Sequence, residues 1–107
     1  MKIFLDDCRQ KPSGWARTHQ VDETIGLLVK CQESGEAVEV VSLDNDLGAD
    51  VPEGRKVLDW LEETKHFNPD FILPKKVVVH SANSVARQRM ETVIERLYQS
   101  TTSADKE

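Results

Sequence analysis

Three short polar clusters carry residue types that can do chemistry together: Asp6-Asp7, Asp44-Asn45-Asp46 and His80-Ser81-Ala82-Asn83. Each follows a short apolar run. The first two offer carboxylates, which repel one another when crowded in a cleft of low polarity. A bound divalent cation removes that cost. An all-oxygen donor set without a cysteine partner suits magnesium, manganese or calcium. Asp6, Asp7 and Asp44 are therefore candidate metal ligands. The third cluster differs. Ser81, Asn83 and Ser84 precede a helical pattern, and the free N–H groups of a helix start attract an anion. Their hydroxyls and amide add donors. A cation on one side and a helix start on the other can hold a phosphate between them, with His80 placed for proton transfer near neutral pH.

Each residue also has a plain structural alternative. Aspartates after a strand can open a turn, Ser81, Asn83 or Ser84 can simply cap the helix, and His80 can be a hydrogen-bonded structural histidine. Read alone, Arg87 and Arg89 fit solvated helix charges, and His19 and His66 fit ordinary surface residues. The functional reading rests on the three clusters lying together.

The elements that must bring them together follow from the hydrophobic pattern. Lys2 to Leu5 reads as a buried strand, and Trp15 to His19 as a short second strand. Asp22 is the expected N-cap of a helix carrying Ile25, Leu28 and Val29 and stopped by Gly35. Val38 to Leu43 is a valine-rich strand. A helix from Pro52 or Glu53 to about His66 turns Val57, Leu58 and Leu61 inward, with Trp60 alongside. Lys76 to Val79 is a further strand. The last helix, about Val85 to Gln99, has Ala86, Met90, Val93, Ile94 and Leu97 on its inner face.

The order β-β-α-β-α-β-α predicts a mostly parallel sheet covered on both faces, with the strands' C-terminal ends at one edge. Ligands of open α/β sheets bind at that edge. The short link from Asp7 to Trp15 leaves the direction of the second strand open.

The totals set bounds. A chain of 107 residues, 38% hydrophobic, is sized for one domain: residues 1–99, with 100–107 as a polar, disordered tail. The net charge of -5 gives no general attraction to duplex DNA. Cys8 and Cys31 lack metal-type spacing and fit free thiols in a reducing compartment. With no signal-like or membrane-length apolar run, a cytoplasmic protein is expected.

The clusters also resemble the receiver domains of bacterial response regulators. Asp6-Asp7 matches the acidic pair of that fold, Asp44 the phosphoacceptor, and Ser81-Ala82 the strand-end serine or threonine with alanine. Asp46 matches the position whose backbone carbonyl ligates magnesium. The helix after the first strand is missing, as are the last strand-helix unit and its lysine.

The sequence resembles more closely the cyclic-phosphate processing receiver family. It carries Leu5-Asp6-Asp7-Cys8-Arg9, Pro12, Gly14-Trp15, Ser42-Leu43-Asp44-Asn45-Asp46-Leu47-Gly48, His80-Ser81-Ala82-Asn83 and Arg89-Met90. Asn45 stands where many members have histidine, and Ala86 where many have glycine. The resemblance implies a flavodoxin-like, receiver-like α/β fold of about four strands and three helices. It also implies a metal-dependent phosphoesterase acting on cyclic phosphate ends of RNA or nucleotides. In that reading Asp6, Asp7, Asp44 and Asp46 hold Mg2+ or Mn2+. Asp44, His80 and Ser81 do the chemistry, and Ser81, Asn83, Arg9 and Arg89 bind phosphate. Attack by water and by Asp44 itself both remain open. The alternative is a non-catalytic module that binds a phosphorylated ligand or a partner protein.

Overall fold

A computed structural model gives the fold; it describes residues 1–6, 13–44, 53–80 and 84–105, with side chains to 99. The elements are β1 (Lys2–Leu5), β2 (Ala16–Thr18), α1 (Val21–Ser34), β3 (Val40–Leu43), α2 (Arg55–Phe67), β4 (Lys76–Val79) and α3 (Ser84–Asp105). The four strands form one parallel sheet in the order β2-β1-β3-β4. This is the receiver-like α/β architecture, and β2, whose direction the sequence left open, runs parallel to β1.

Register makes the sheet's two faces distinct. Ile3 pairs with Val41 and Val41 with Val77; Leu5 pairs with Leu43 and Leu43 with Val79. Side chains alternate along a strand, so these residues share one face. Ile3, Leu5, Val41, Leu43 and Val77 form one core with Leu28 of α1, Val57, Leu58 and Leu61 of α2, and Met90 and Leu97 of α3. All three described helices therefore cover the same face, where helices on both faces were expected.

Connection handedness explains this. From β2 to β3 to β4 the chain advances in one direction along the sheet, and right-handed crossovers put α1 and α2 on one side. On the opposite face Trp15 meets Phe4 edge-on, with ring centroids 6.1 Å apart.

Local chemistry sets the ends. Asp22 is not the cap: α1 starts at Val21, two residues before the start an Asp22 cap implies, Gln20 stands at the N-cap without a side-chain bond, and Asp22 and Glu23 lie in the first turn. Acidic groups still complement the helix dipole there, and the Glu23 carboxylate accepts the His19 N–H at 3.2 Å. A buried contact of 2.6 Å between the Thr18 and Thr24 hydroxyls ties α1 to the end of β2. Gly35 ends α1 at φ 77°, its N–H reaching the Cys31 carbonyl, a left-handed turn that glycine takes without a Cβ penalty. Helix α2 begins at Arg55 and α3 continues to Asp105, past the expected boundary at Gln99. Among the described residues, no helix is long and apolar enough to cross a membrane.

Candidate functional site

The last paired row of the sheet is Leu5, Leu43 and Val79. The next residues of β1, β3 and β4 are Asp6, Asp44 and His80. They extend the ladder by one step: Asp44 N–H donates to the Leu5 carbonyl at 3.1 Å, His80 N–H to the Leu43 carbonyl at 2.9 Å, and Asp6 N–H to the Thr18 carbonyl at 3.1 Å. Adjacent strands thus fix the three backbones at the C-terminal edge. Alternation places their side chains on the face of Phe4 and Ser42, opposite the helices. Two of the three strand-end clusters expected at this edge meet in Asp6 and Asp44, and the third enters through His80.

The side chains converge. One ligand atom from each of Asp6, Asp44 and His80 lies within 4.8 Å of the others. His80 Nε2 is 3.0 Å from Asp6 Oδ2, and its Nδ1 is 2.6 Å from Ser42 Oγ. A neutral imidazole satisfies both contacts when Ser42 O–H donates to Nδ1 and Nε2–H donates to the carboxylate. The Phe4 ring stacks against the imidazole at 4.5 Å and 5° between planes. The ring is thereby held on two edges and one face.

Asp6 is fully buried, at 0% exposure. A buried carboxylate beside a second one costs free energy unless positive charge or N–H donors meet it. His80 answers part of that need, and a divalent cation would add to it. The aspartate oxygens would suit magnesium or manganese.

Helix α3 opens at Ser84, four residues after His80, so its start lies near this edge. Arg89 is exposed in the second turn of α3. The expected ligands Asp7 and Asp46, the expected catalytic and phosphate-binding Ser81, and the phosphate-binding Asn83 and Arg9 lie outside the described residues. Two residues of the site escaped the sequence reading. Ser42 belongs to the Ser42–Gly48 motif but carried no role there; its hydroxyl within an otherwise aliphatic strand was the further signal. Arg17 had none, because only the register of β2 against β1 brings it beside Phe4; its Nε–H donates to the Asp6 carbonyl at 3.2 Å.

Residues 1–96 match the model of the cyclic-phosphate processing Receiver domain family. No curated protein and no solved structure matches the chain.

Proposed function

The chain belongs to the cyclic-phosphate processing receiver family, and from that premise we propose that it is a metal-dependent phosphoesterase acting on cyclic phosphate ends of RNA or nucleotides. The observation that carries the reading is the single row of Asp6, Asp44 and His80, with donor atoms within 4.8 Å of one another. Asp6 and Asp44 are the described residues that would hold Mg2+ or Mn2+, joined by Asp7 and Asp46. The cation, when bound, supplies charge neutralisation for the phosphate and acidifies a water.

The protein's own groups supply the rest. The α3 start, with Ser81 and Asn83 before it, offers N–H and O–H donors to the non-bridging oxygens as charge builds on them. His80 is fixed by Ser42 and Phe4. Opening a cyclic phosphodiester forms one P–O bond to the attacking oxygen and breaks one ester P–O bond. The proton lost by attacking water is the one that the departing sugar oxygen needs, and His80 would relay it in the tautomer whose Nδ1–H donates to Ser42 Oγ, which leaves Nε2 to accept that proton and return it. If Asp44 attacks instead, the departing oxygen takes its proton first, and water later cleaves the aspartyl-phosphate.

The test is turnover of an RNA end bearing a 2′,3′-cyclic phosphate, with magnesium or manganese, by wild type and by Asp44→Asn. Turnover by wild type that falls at least 100-fold in the variant is expected; equal rates would remove Asp44 from the chemistry. The low side-chain exposure of Asp6 and His80, 1% and 16%, favours a second reading: a module that binds a phosphorylated ligand without altering it. Calorimetry that finds tight binding of a cyclic nucleotide, recovered unchanged, would select that reading.

A further inference from the structure

Arg17 of β2 is in register with Phe4 of β1. Its side chain therefore leaves the sheet on the face that carries Asp6, Asp44 and His80. It runs toward the C-terminal edge, where Nε–H donates to the Asp6 main-chain carbonyl at 3.2 Å. Among the described residues that is the one hydrogen bond its guanidinium makes, and no carboxylate pairs with it. The four N–H groups on the two terminal nitrogens are left over. A half-buried arginine tied to the backbone of Asp6 yet not ion-paired with its carboxylate is an unusual economy of charge. Guanidinium and carboxylate ordinarily pair where they can.

We infer that Arg17 is the phosphate-gripping arm of this site, its terminal nitrogens donating to two oxygens of a bound phosphate. The inference rests on reading the Asp6–Asp44–His80 row as a phosphate site. The Nε bond fixes the guanidinium plane, which leaves the terminal N–H pair as a rigid fork of the spacing that phosphate oxygens accept. The single positive charge of Arg17 complements the single negative charge of a cyclic phosphodiester. Lysine cannot substitute, because one ammonium cannot both hold the Asp6 carbonyl and present a planar pair of donors.

The test is calorimetric titration of inorganic phosphate and of a 2′,3′-cyclic nucleotide into wild type, Arg17→Lys and Arg17→Gln, all at saturating manganese. Both variants are expected to bind each anion about 10- to 100-fold more weakly, the loss typical of a charge-assisted hydrogen-bond pair. Manganese affinity should change less than twofold. Unchanged anion affinity in either variant, or no anion binding by wild type, overturns the inference. If the variants fail to fold by circular dichroism, the Arg17 Nε–H resonance of 15N-arginine-labelled wild type decides: it should move on phosphate addition, and a stationary signal refutes the assignment. The two readings fail separately. Anion binding that needs Arg17, in a protein that never turns over the cyclic ester, sinks the phosphoesterase and spares the arm. Turnover that survives Arg17→Gln with unchanged KM does the reverse.

Discussion

Replacing Ser42 by alanine should destabilise the protein by about 1–2 kcal/mol, and the figure follows from the surroundings of one imidazole nitrogen. Ser42 is 5% exposed, and its hydroxyl lies 2.6 Å from His80 Nδ1. Removing an oxygen this small leaves little cavity, so the packing cost is minor. The main cost is a ring nitrogen stranded without a partner, about 1–3 kcal/mol for a buried polar group. The ring cannot readily swing out to water, because Phe4 stacks on it at 4.5 Å and Asp6 holds its other nitrogen at 3.0 Å. In a domain of this size, about 1–2 kcal/mol lowers Tm by about 4–16 °C. Threonine keeps the hydroxyl and suits a strand, so Ser42→Thr should stay within about 0.5 kcal/mol of wild type. Urea unfolding followed by tryptophan fluorescence measures these values. His80→Phe keeps a stacked ring but needs no hydroxyl, so the Ser42→Ala cost should shrink by at least about 1 kcal/mol in that background. An alanine variant as stable as wild type, or an equal cost in both backgrounds, would refute the hydroxyl–imidazole link.

Other outcomes follow from the same geometry. Manganese at about 100-fold over its Kd should stabilise wild type by about 2.7 kcal/mol and leave the melting of Asp44→Asn nearly unchanged; equal stabilisation of both would place the ion elsewhere. The sole tyrosine, Tyr98, donates its hydroxyl to the Pro74 carbonyl, and burial pushes its pKa up to about 12. Its folded pKa lies above the unfolded value of about 10, so its contribution is full below pH 10 and lost as pH rises toward 12. Absorbance titration should show that raised midpoint in the native protein, and a midpoint near 10 would contradict the burial. Leu58→Ala, at a position with 0% exposure, should cost about 2–5 kcal/mol in chemical denaturation. Gly35→Ala should cost about 1 kcal/mol, because φ 77° penalises a Cβ although the space around it is open.

The family assignment and the fold agree with the site, but they constrain it differently. Membership spans residues 1–96, while the geometry says which side chains lie together at the sheet edge. Asp6 and His80 are 74 positions apart in the chain and 3.0 Å apart in space. That contact exists because β1 and β4 flank β3 with their ends level.

Much of this was legible in the amino-acid order. Apolar runs that end in Asp6, Asp44 and His80 announce strands with polar ends, and alternation with helical patterns calls for parallel strands, whose ends share an edge. Short-range chemistry sufficed, because a strand's burial and a helix's apolar stripe are written within a few residues of each position. The Asp22 cap was misplaced by that same local reasoning: the cap stands two residues earlier, at Gln20, where Val21, 4% exposed, packs into the core as the first helical residue. What the order alone did not reveal depends on partners distant in the chain. The direction of β2, the gathering of the helices on one face, the seat of His80 on Ser42 and Phe4, and the approach of Arg17 to Asp6 all require strand order and register. Those are decided only when the whole sheet closes on its core, because a one-residue change of register would turn every one of these side chains to the other face.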